Sequence, residues 1–220
     1  MSEMKTHIDV KATVDSKNWF YNDTVKEHFF TPKNFLKDEK EVEEFEKVSN
    51  GVGQVGSPAC GDMMKLWIRV EDDVIKECKW QTFGCASAIG STSMLSLMVT
   101  ENEGMKVDEA LKITPQDIVK RLEGLPARKF HCSVLGDKAL RGAINDYFRQ
   151  SGQDDKVIVE GAKIIDKILK ITDKDIEEAV LEGARTLEEV QKKTKIGAQD
   201  KSCIPEVEQL IRFYTEKYFG

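Results

Sequence analysis

The chain has 220 residues, enough for one medium domain with a small appendage. Hydrophobic residues make up 40% and charged residues 33%, which excludes the disordered and fibrous classes. A net charge of −6 argues against nucleic acid, which needs Lys and Arg gathered on one face, and no apolar run reaches the ~20 residues of a membrane helix.

Residues 1–17 form a polar lead with neither an apolar stretch nor an arginine. They read as neither a secretory signal nor a mitochondrial transit segment, so the expected compartment is cytoplasmic. Five cysteines in such a chain point to metal or thiol chemistry rather than disulfides. A helix is predicted from about Asn22 to Phe30, stopped by Thr31-Pro32. Asp38 to Glu46 is acidic and reads as a solvated loop or a short helix. Gly51-Val52-Gly53-Gln54-Val55-Gly56 matches the dinucleotide pattern G-x-G-x-x-G, but an acidic segment precedes it and Ser57-Pro58 follows. Without the flanking strand and helix it reads as a flexible approach to the next loop.

Met64, Leu66, Ile68 and Val70 alternate as a half-buried strand requires. Asp72-Asp73 turns the chain into a returning strand, Val74 to Thr82, with Val74, Cys78 and Trp80 assigned to one face. Past Cys85 the small and apolar run through Ala88, Ile89, Met94, Leu95 and Met98 predicts a buried helix. Thr114-Pro115 opens another as N-cap and first helical residue, and Gly124 ends it. A further helix follows Cys132, with Leu135, Ala139, Ala143, Ile144 and Tyr147 on one side. Residues 151–156 look like a linker. Beyond it the pattern is all helical: Thr172 and Thr186 stand at N-cap positions, Gly183 closes a helix and Pro205 opens the last. Two units are therefore expected, 18–150 and 157–220.

Three cysteines sit where elements end. Cys60 lies in Pro58-Ala59-Cys60-Gly61-Asp62, Cys85 follows Gly84 at a strand-to-helix junction, and Cys132 sits beside His131 at another junction. A helix N-terminus favours a thiolate through its free N–H groups. Three thiols, an imidazole and a carboxylate suit iron–sulfur chemistry or zinc, yet no C-x-x-C knuckle is present. Spacing alone weighs metal binding and inert buried thiols evenly. Cys78, on a strand face with Trp80, reads as a core thiol; Cys203 reads as structural, and His7 and His28 as isolated.

At this point the sequence resembles the IscU/NifU-type iron–sulfur assembly scaffolds. The matching segments are Tyr21–Asn34 (YNDTVKEHFFTPKN), Gly53–Leu66 (GQVGSPACGDMMKL), Thr82–Ser91 (TFGCASAIGS) and Leu125–Leu135 (LPARKFHCSVL). The resemblance implies an α+β fold, a small and mostly antiparallel sheet with helices packed on one face. It places the ligand cysteines on Cys60, Cys85 and Cys132, the aspartate that makes the cluster labile on Asp62, and the site histidine on His131. It implies a [2Fe-2S] cluster built from Fe2+ and persulfide sulfur accepted by Cys132, with Zn2+ able to take the same ligands. The implied partners are a cysteine desulfurase, a ferredoxin electron donor, apo iron–sulfur proteins and a second copy as homodimer. An Hsp70-type chaperone is implied through Leu125–Lys129, although the family's Leu-Pro-Pro-Val-Lys reads Leu-Pro-Ala-Arg-Lys here. On this reading the chain is a carrier rather than an enzyme. The competing reading is a zinc-bound persulfide acceptor working with the desulfurase.

The second unit resembles the small ferredoxin-like module of longer NifU proteins, through Ile171-Thr172-Asp173 and Thr186-Leu187-Glu188-Glu189-Val190. Three of the module's four cluster cysteines align with Asp166, Ile168 and Asp200, leaving Cys203. The expectation is a folded helical body without its own cluster, either packed on the scaffold or a partner or a remnant with no role.

Overall fold

The computed structural model describes residues 21–56, 62–126, 129–158 and 163–219, and of residue 131 the backbone alone. The expectations for residues 1–17, His7, Cys60, Ala127 and Arg128 lie outside these residues, as does the side chain of His131.

Helix α1 (Asp23–Phe30) begins where Asn22 Oδ1 accepts the Val25 N–H at 2.8 Å and ends at Thr31. The acidic stretch is a helix, α2 (Glu39–Glu46), capped by Asp38. It is not merely solvated, because Phe45 packs with Leu36 against Trp67.

Four strands follow in the sheet order β1-β2-β3-β4, every pair antiparallel: β1 (Gly51–Gly56), β2 (Met63–Glu71), β3 (Val74–Phe83) and β4 (Met105–Lys106). The glycine-rich segment expected as a flexible approach is strand β1 itself. The reason is steric. A Cβ on Gly53 would stand 2.0 Å from the Ala139 carbonyl oxygen, and one on Gly51 would stand 2.4 Å from that of Ala143. A long helix thus lies directly on the β1 backbone, and only glycine leaves it room.

Asp72 and Asp73 both take positive φ, 50° and 57°, as a tight two-residue hairpin turn requires. The register shifts between Arg69 and Val70, so that Val70 pairs with Ile75. This bulge changes which β3 side chains face inward: Ile75 is fully buried and Val74 only half-buried, correcting the assignment of Val74 to the face of Cys78 and Trp80. The expected β2 face, Met64, Leu66, Ile68 and Val70, is buried.

Helix α3 (Ala86–Thr100) runs through the middle of the molecule and buries both its serines and its methionines. After a single turn, α4 (Val107–Ala110), comes α5 (Pro115–Arg121), opened by a Thr114/Asp117 capping box. The long helix α6 (His131–Gln150) crosses β1 and α3. Its residues Leu135, Ala139, Leu140, Ala143, Ile144 and Phe148 join the sheet and α3 in one apolar core.

Past the linker, which contains a short 3-10 turn at Asp154–Lys156, the chain is not purely helical. A small antiparallel pair, β5 (Ile164–Asp166) and β6 (Ile171–Thr172), precedes three helices: α7 (Asp173–Leu181), α8 (Leu187–Thr194) and α9 (Ile204–Phe219). Thr172 and Thr186 are N-caps in capping boxes, as expected. These elements surround a second apolar core that also takes in Phe130 and Val134 of the α6 region. Among the described residues no helix is long and apolar enough to cross a membrane.

Candidate functional site

Two helix starts and one strand start meet at a single point. Cys85 is the N-cap of α3, held in an extended conformation after β3. Cys132 lies in the first turn of α6. Asp62 immediately precedes β2, whose first residue Met63 pairs with Phe83 at the end of β3. The hairpin therefore delivers Asp62 and Cys85 side by side, and α3 against α6 brings in Cys132.

One ligand atom from each of Asp62, Cys85 and Cys132 lies within 4.8 Å of the other two. The two Sγ atoms are 3.3 Å apart. The Cys85 N–H points to Asp62 Oδ2 at 3.5 Å, a long contact. Gly84 permits this approach, because a Cβ there would stand 3.3 Å from the Asp62 carboxyl carbon and 2.9 Å from Thr82 Oγ1.

Proton sharing between the thiols is asymmetric. The Cys132 S–H donates to Cys85 and holds it down at about 6 against burial; the Ala88 N–H and the Lys129 charge assist, while the Asp62 carboxylate opposes them. Cys132, donating that proton and buried, is pushed upward. The two thiols therefore titrate as a coupled pair, with the lowered pKa on the side of the partly exposed Cys85, while Cys132 is only 1% exposed.

The surroundings fix the helices rather than compete for a ligand. Ser91 Oγ donates to the Cys132 carbonyl at 3.2 Å, tying α3 to α6. Tyr21 OH bonds Ser87 Oγ at 2.8 Å in the first turn of α3. Sequence reasoning assigned no role to Tyr21 or Ser91, although both fall inside the matching segments. Lys129, read there as part of a chaperone loop, also lends its charge to both thiols.

Cys78, Cys203 and His28 stand apart from this site. Cys78 is in the core and burial pushes it up to about 12. Cys203 is buried, with its thiol donating to the Asp200 carbonyl at 3.1 Å. His28 Nδ1 bonds Ser93 Oγ at 2.7 Å inside the protein, and burial lowers its pKa.

Residues 20–154 match the NifU-like N terminal domain. The chain belongs to this family. The NifU-like chain also matches the BFD-like [2Fe-2S] binding domain over residues 169–212. It is 46% identical over 137 residues to "Iron-sulfur cluster assembly scaffold protein IscU 1" of Archaeoglobus fulgidus, covering 62% of this chain and 82% of that protein. It is 43% identical over 150 residues to the scaffold protein IscU of Aquifex aeolicus, covering 66% and 85%. The nitrogen fixation protein NifU of Nostoc is 38% identical over 201 residues, and the match takes in 88% of this chain. The chain spans 64% of that NifU's length.

Of the four positions where the resemblance puts cluster cysteines in this NifU-like chain, Ile168 and Cys203 offer one thiol between them, and the other two are carboxylates bonded to backbone. Asp166 is fully buried; Oδ1 accepts the N–H groups of Ile168 and Leu169 at 3.0 and 2.9 Å, and Oδ2 that of Gly197 at 3.0 Å. Those bonds, Leu169 first, hold its carboxyl below the usual carboxylate range. Asp200 likewise accepts from Ser202 N at 2.9 Å.

Proposed function

We propose that this chain is a scaffold on which a [2Fe-2S] cluster is assembled and from which it is passed to apo-proteins. The observation that carries the reading is the convergence of Cys85, Cys132 and Asp62 at the junction of β2, β3, α3 and α6, inside the segment matching the NifU-like domain. We place the scaffold in residues 18–150 and a helical appendage in residues 157–220.

The donor set suits a cargo rather than a permanent group. A stored cluster takes four thiolates in a closed shell. Here Cys85 and Cys132 supply two, Cys60 is assigned as the third, and Asp62 or His131 completes the set. A hard carboxylate oxygen is a poor match for a soft iron–sulfide core, so the fourth position exchanges readily. Fe2+ enters among these groups.

Sulfur arrives as the persulfide of a cysteine desulfurase, whose sulfane sulfur is taken over by Cys132 as the desulfurase regains its thiolate. Sulfane sulfur must then be reduced to sulfide. Ferrous iron going to ferric supplies half of those electrons, and a ferredoxin supplies the remainder. Leu125–Lys129, placed one residue before Phe130, is the segment for an Hsp70-type chaperone.

A second reading keeps the same ligands but fills them with Zn2+, leaving a persulfide acceptor for the desulfurase; a compact set of two thiols and a carboxylate fits zinc as well. Anaerobic incubation with desulfurase, cysteine, Fe2+ and ferredoxin separates the two. A two-iron Mössbauer and absorption signature that moves to an apo-ferredoxin supports the scaffold. Persulfide on the chain with desulfurase turnover accelerated, and no cluster, supports the zinc reading.

A further inference from the structure

The first turn of α6 serves two cores at once. Leu135 and Ala139 face the sheet, while Cys132 faces Cys85. Phe130, Val134 and Lys138 follow at four-residue steps, which puts them on a common helix face. All three are engaged by the C-terminal unit.

Phe130 is packed beneath the last turn of α9, with ring centroids 5.1 Å from Phe219 and 6.3 Å from Tyr218. The Arg185 guanidinium covers the Phe219 ring at 3.9 Å. Val134 is buried in the same cluster. Lys138 pairs at 3.1 Å with Glu177 of α7, a carboxylate only 1% exposed that also receives Lys217 at 3.3 Å, Lys174 at 3.6 Å and the Tyr218 hydroxyl at 2.6 Å. Gln116 of α5 donates to the Lys217 carbonyl at 2.6 Å. A buried carboxylate that draws cations from three helices fixes their register, since leaving it unpaired is costly.

We infer that the C-terminal unit is an intramolecular clamp on the turn that bears Cys132: α9 and Glu177 hold Phe130, Val134 and Lys138 and keep the Cys132 thiol closed against Cys85. Phe130, Glu177, Tyr218 and Phe219 are positioning residues that reach the site through the helix turn. Cys132 is 1% exposed, yet an incoming sulfur donor or a departing cluster needs that thiol uncovered. Loosening the clamp is a local opening that leaves the sheet core in place. This unit, without the thiolate set its module resembles, then has a role that does not depend on metal: setting how long the site stays shut. The consequence for cluster retention rests on the scaffold reading; the closure of Cys132 does not.

The test uses the full chain and begins without iron. Under reducing conditions, the alkylation rate of each cysteine is followed by mass spectrometry in the parent and in Phe219→Ala with Tyr218→Ala. The buried core thiol Cys78 is the internal monitor of global unfolding. Expected is a rise of roughly tenfold or more at Cys132 with Cys78 unchanged, and Phe219→Tyr alone should retain the slow rate. An unchanged Cys132 rate overturns the clamp. Should Cys78 become reactive as well, Lys138→Ala with Lys217→Ala loosens the same contact from its polar side, and the Cys132-to-Cys78 ratio decides by the same criterion. In the second arm, clusters reconstituted on the parent and on these variants are challenged with a chelator. Faster loss from the variants extends the clamp to cluster retention. Equal loss, with Cys132 reactivity raised, confines it to thiol access and refutes the retention role. Failure of every chain to form a cluster sinks the scaffold reading while leaving the first arm standing.

Discussion

The Sγ atoms of Cys85 and Cys132 stand 3.3 Å apart although 47 residues separate them in the chain. Each starts a different helix, and α3 and α6 approach closely because Ser91 bonds the Cys132 carbonyl and Gly136 offers no side chain, a Cβ there standing 3.0 Å from Thr92 Oγ1. The site is thus a property of a helix crossing, with Asp62 brought in by the β2–β3 hairpin.

Replacing Cys85 or Cys132 by Ser should reduce cluster yield in anaerobic reconstitution to near background, because a hydroxyl is a far weaker donor to iron–sulfide than a thiolate. The same is expected of Cys60→Ser. Cys78→Ser and Cys203→Ser should keep yields close to the parent, since both thiols are buried away from the site. A normal absorption spectrum from Cys85→Ser or Cys60→Ser would falsify the ligand assignment.

Asp62→Ala removes the hard donor beside Cys85. The cluster should then persist several-fold longer against a chelator and pass more slowly to an apo-ferredoxin. Complete loss of the cluster in this variant would make Asp62 an indispensable ligand instead. If His131→Ala by itself abolishes binding, His131 holds the fourth position.

The full chain with Cys60, Cys85 and Cys132 all changed to Ser should be colourless after reconstitution yet retain its helical circular dichroism. The C-terminal unit offers only Cys203, and Asp166 spends both carboxylate oxygens on the N–H groups of Ile168, Leu169 and Gly197. Iron and sulfide bound at about two each, the content of a [2Fe-2S] centre, would show a working cluster site in that unit.

Glu177 should give the contact between the units an acid limit. Burial alone would raise its carboxyl, but the Lys138 charge, the Tyr218 hydroxyl and Lys174 outweigh that and leave it at about 2 against an ordinary 4.5. A carboxyl depressed on folding contributes stability that is fully present above its unfolded value and is lost as pH falls toward the folded one. The contribution is ~3 kcal/mol at neutral pH. In urea unfolding, the stability gap between the parent and Glu177→Gln should be largest above pH 5 and shrink between roughly pH 4.5 and 2. A gap independent of pH would show that folding leaves the Glu177 carboxyl at its unfolded value, and a gap that narrows as pH rises would show a carboxyl kept neutral in the fold.

Gly53→Ala should destabilise the chain by about 1–3 kcal/mol or more, through displacement of α6 from β1. The introduced Cβ would fall 2.0 Å from the Ala139 carbonyl oxygen, which is backbone and cannot rotate aside. Equal urea midpoints for the variant and the parent would mean that α6 does not rest on β1 in solution.

What the sequence determined by itself was whatever neighbours along the chain decide. Asn22, Thr114, Thr172 and Thr186 cap helices because a side-chain oxygen reaches an N–H three residues on. The alternation of Met64, Leu66, Ile68 and Val70 identified the buried face of β2, and Cys85 and Cys132 were legible as residues at element ends. Only the tertiary structure decided the rest. Gly51–Gly56 is a strand because α6, some 90 residues further on, lies upon it. Ile75 replaces Val74 in the core through a bulge formed with a partner strand, and Trp67 is buried on the opposite sheet face by Leu36 and Phe45. The β5–β6 pair is too short to show a period of its own. The grip of α9 on Phe130 also depends on side chains distant in sequence. Local capping and alternation are written in adjacent residues; these contacts join segments far apart, and no window along the chain contains both partners.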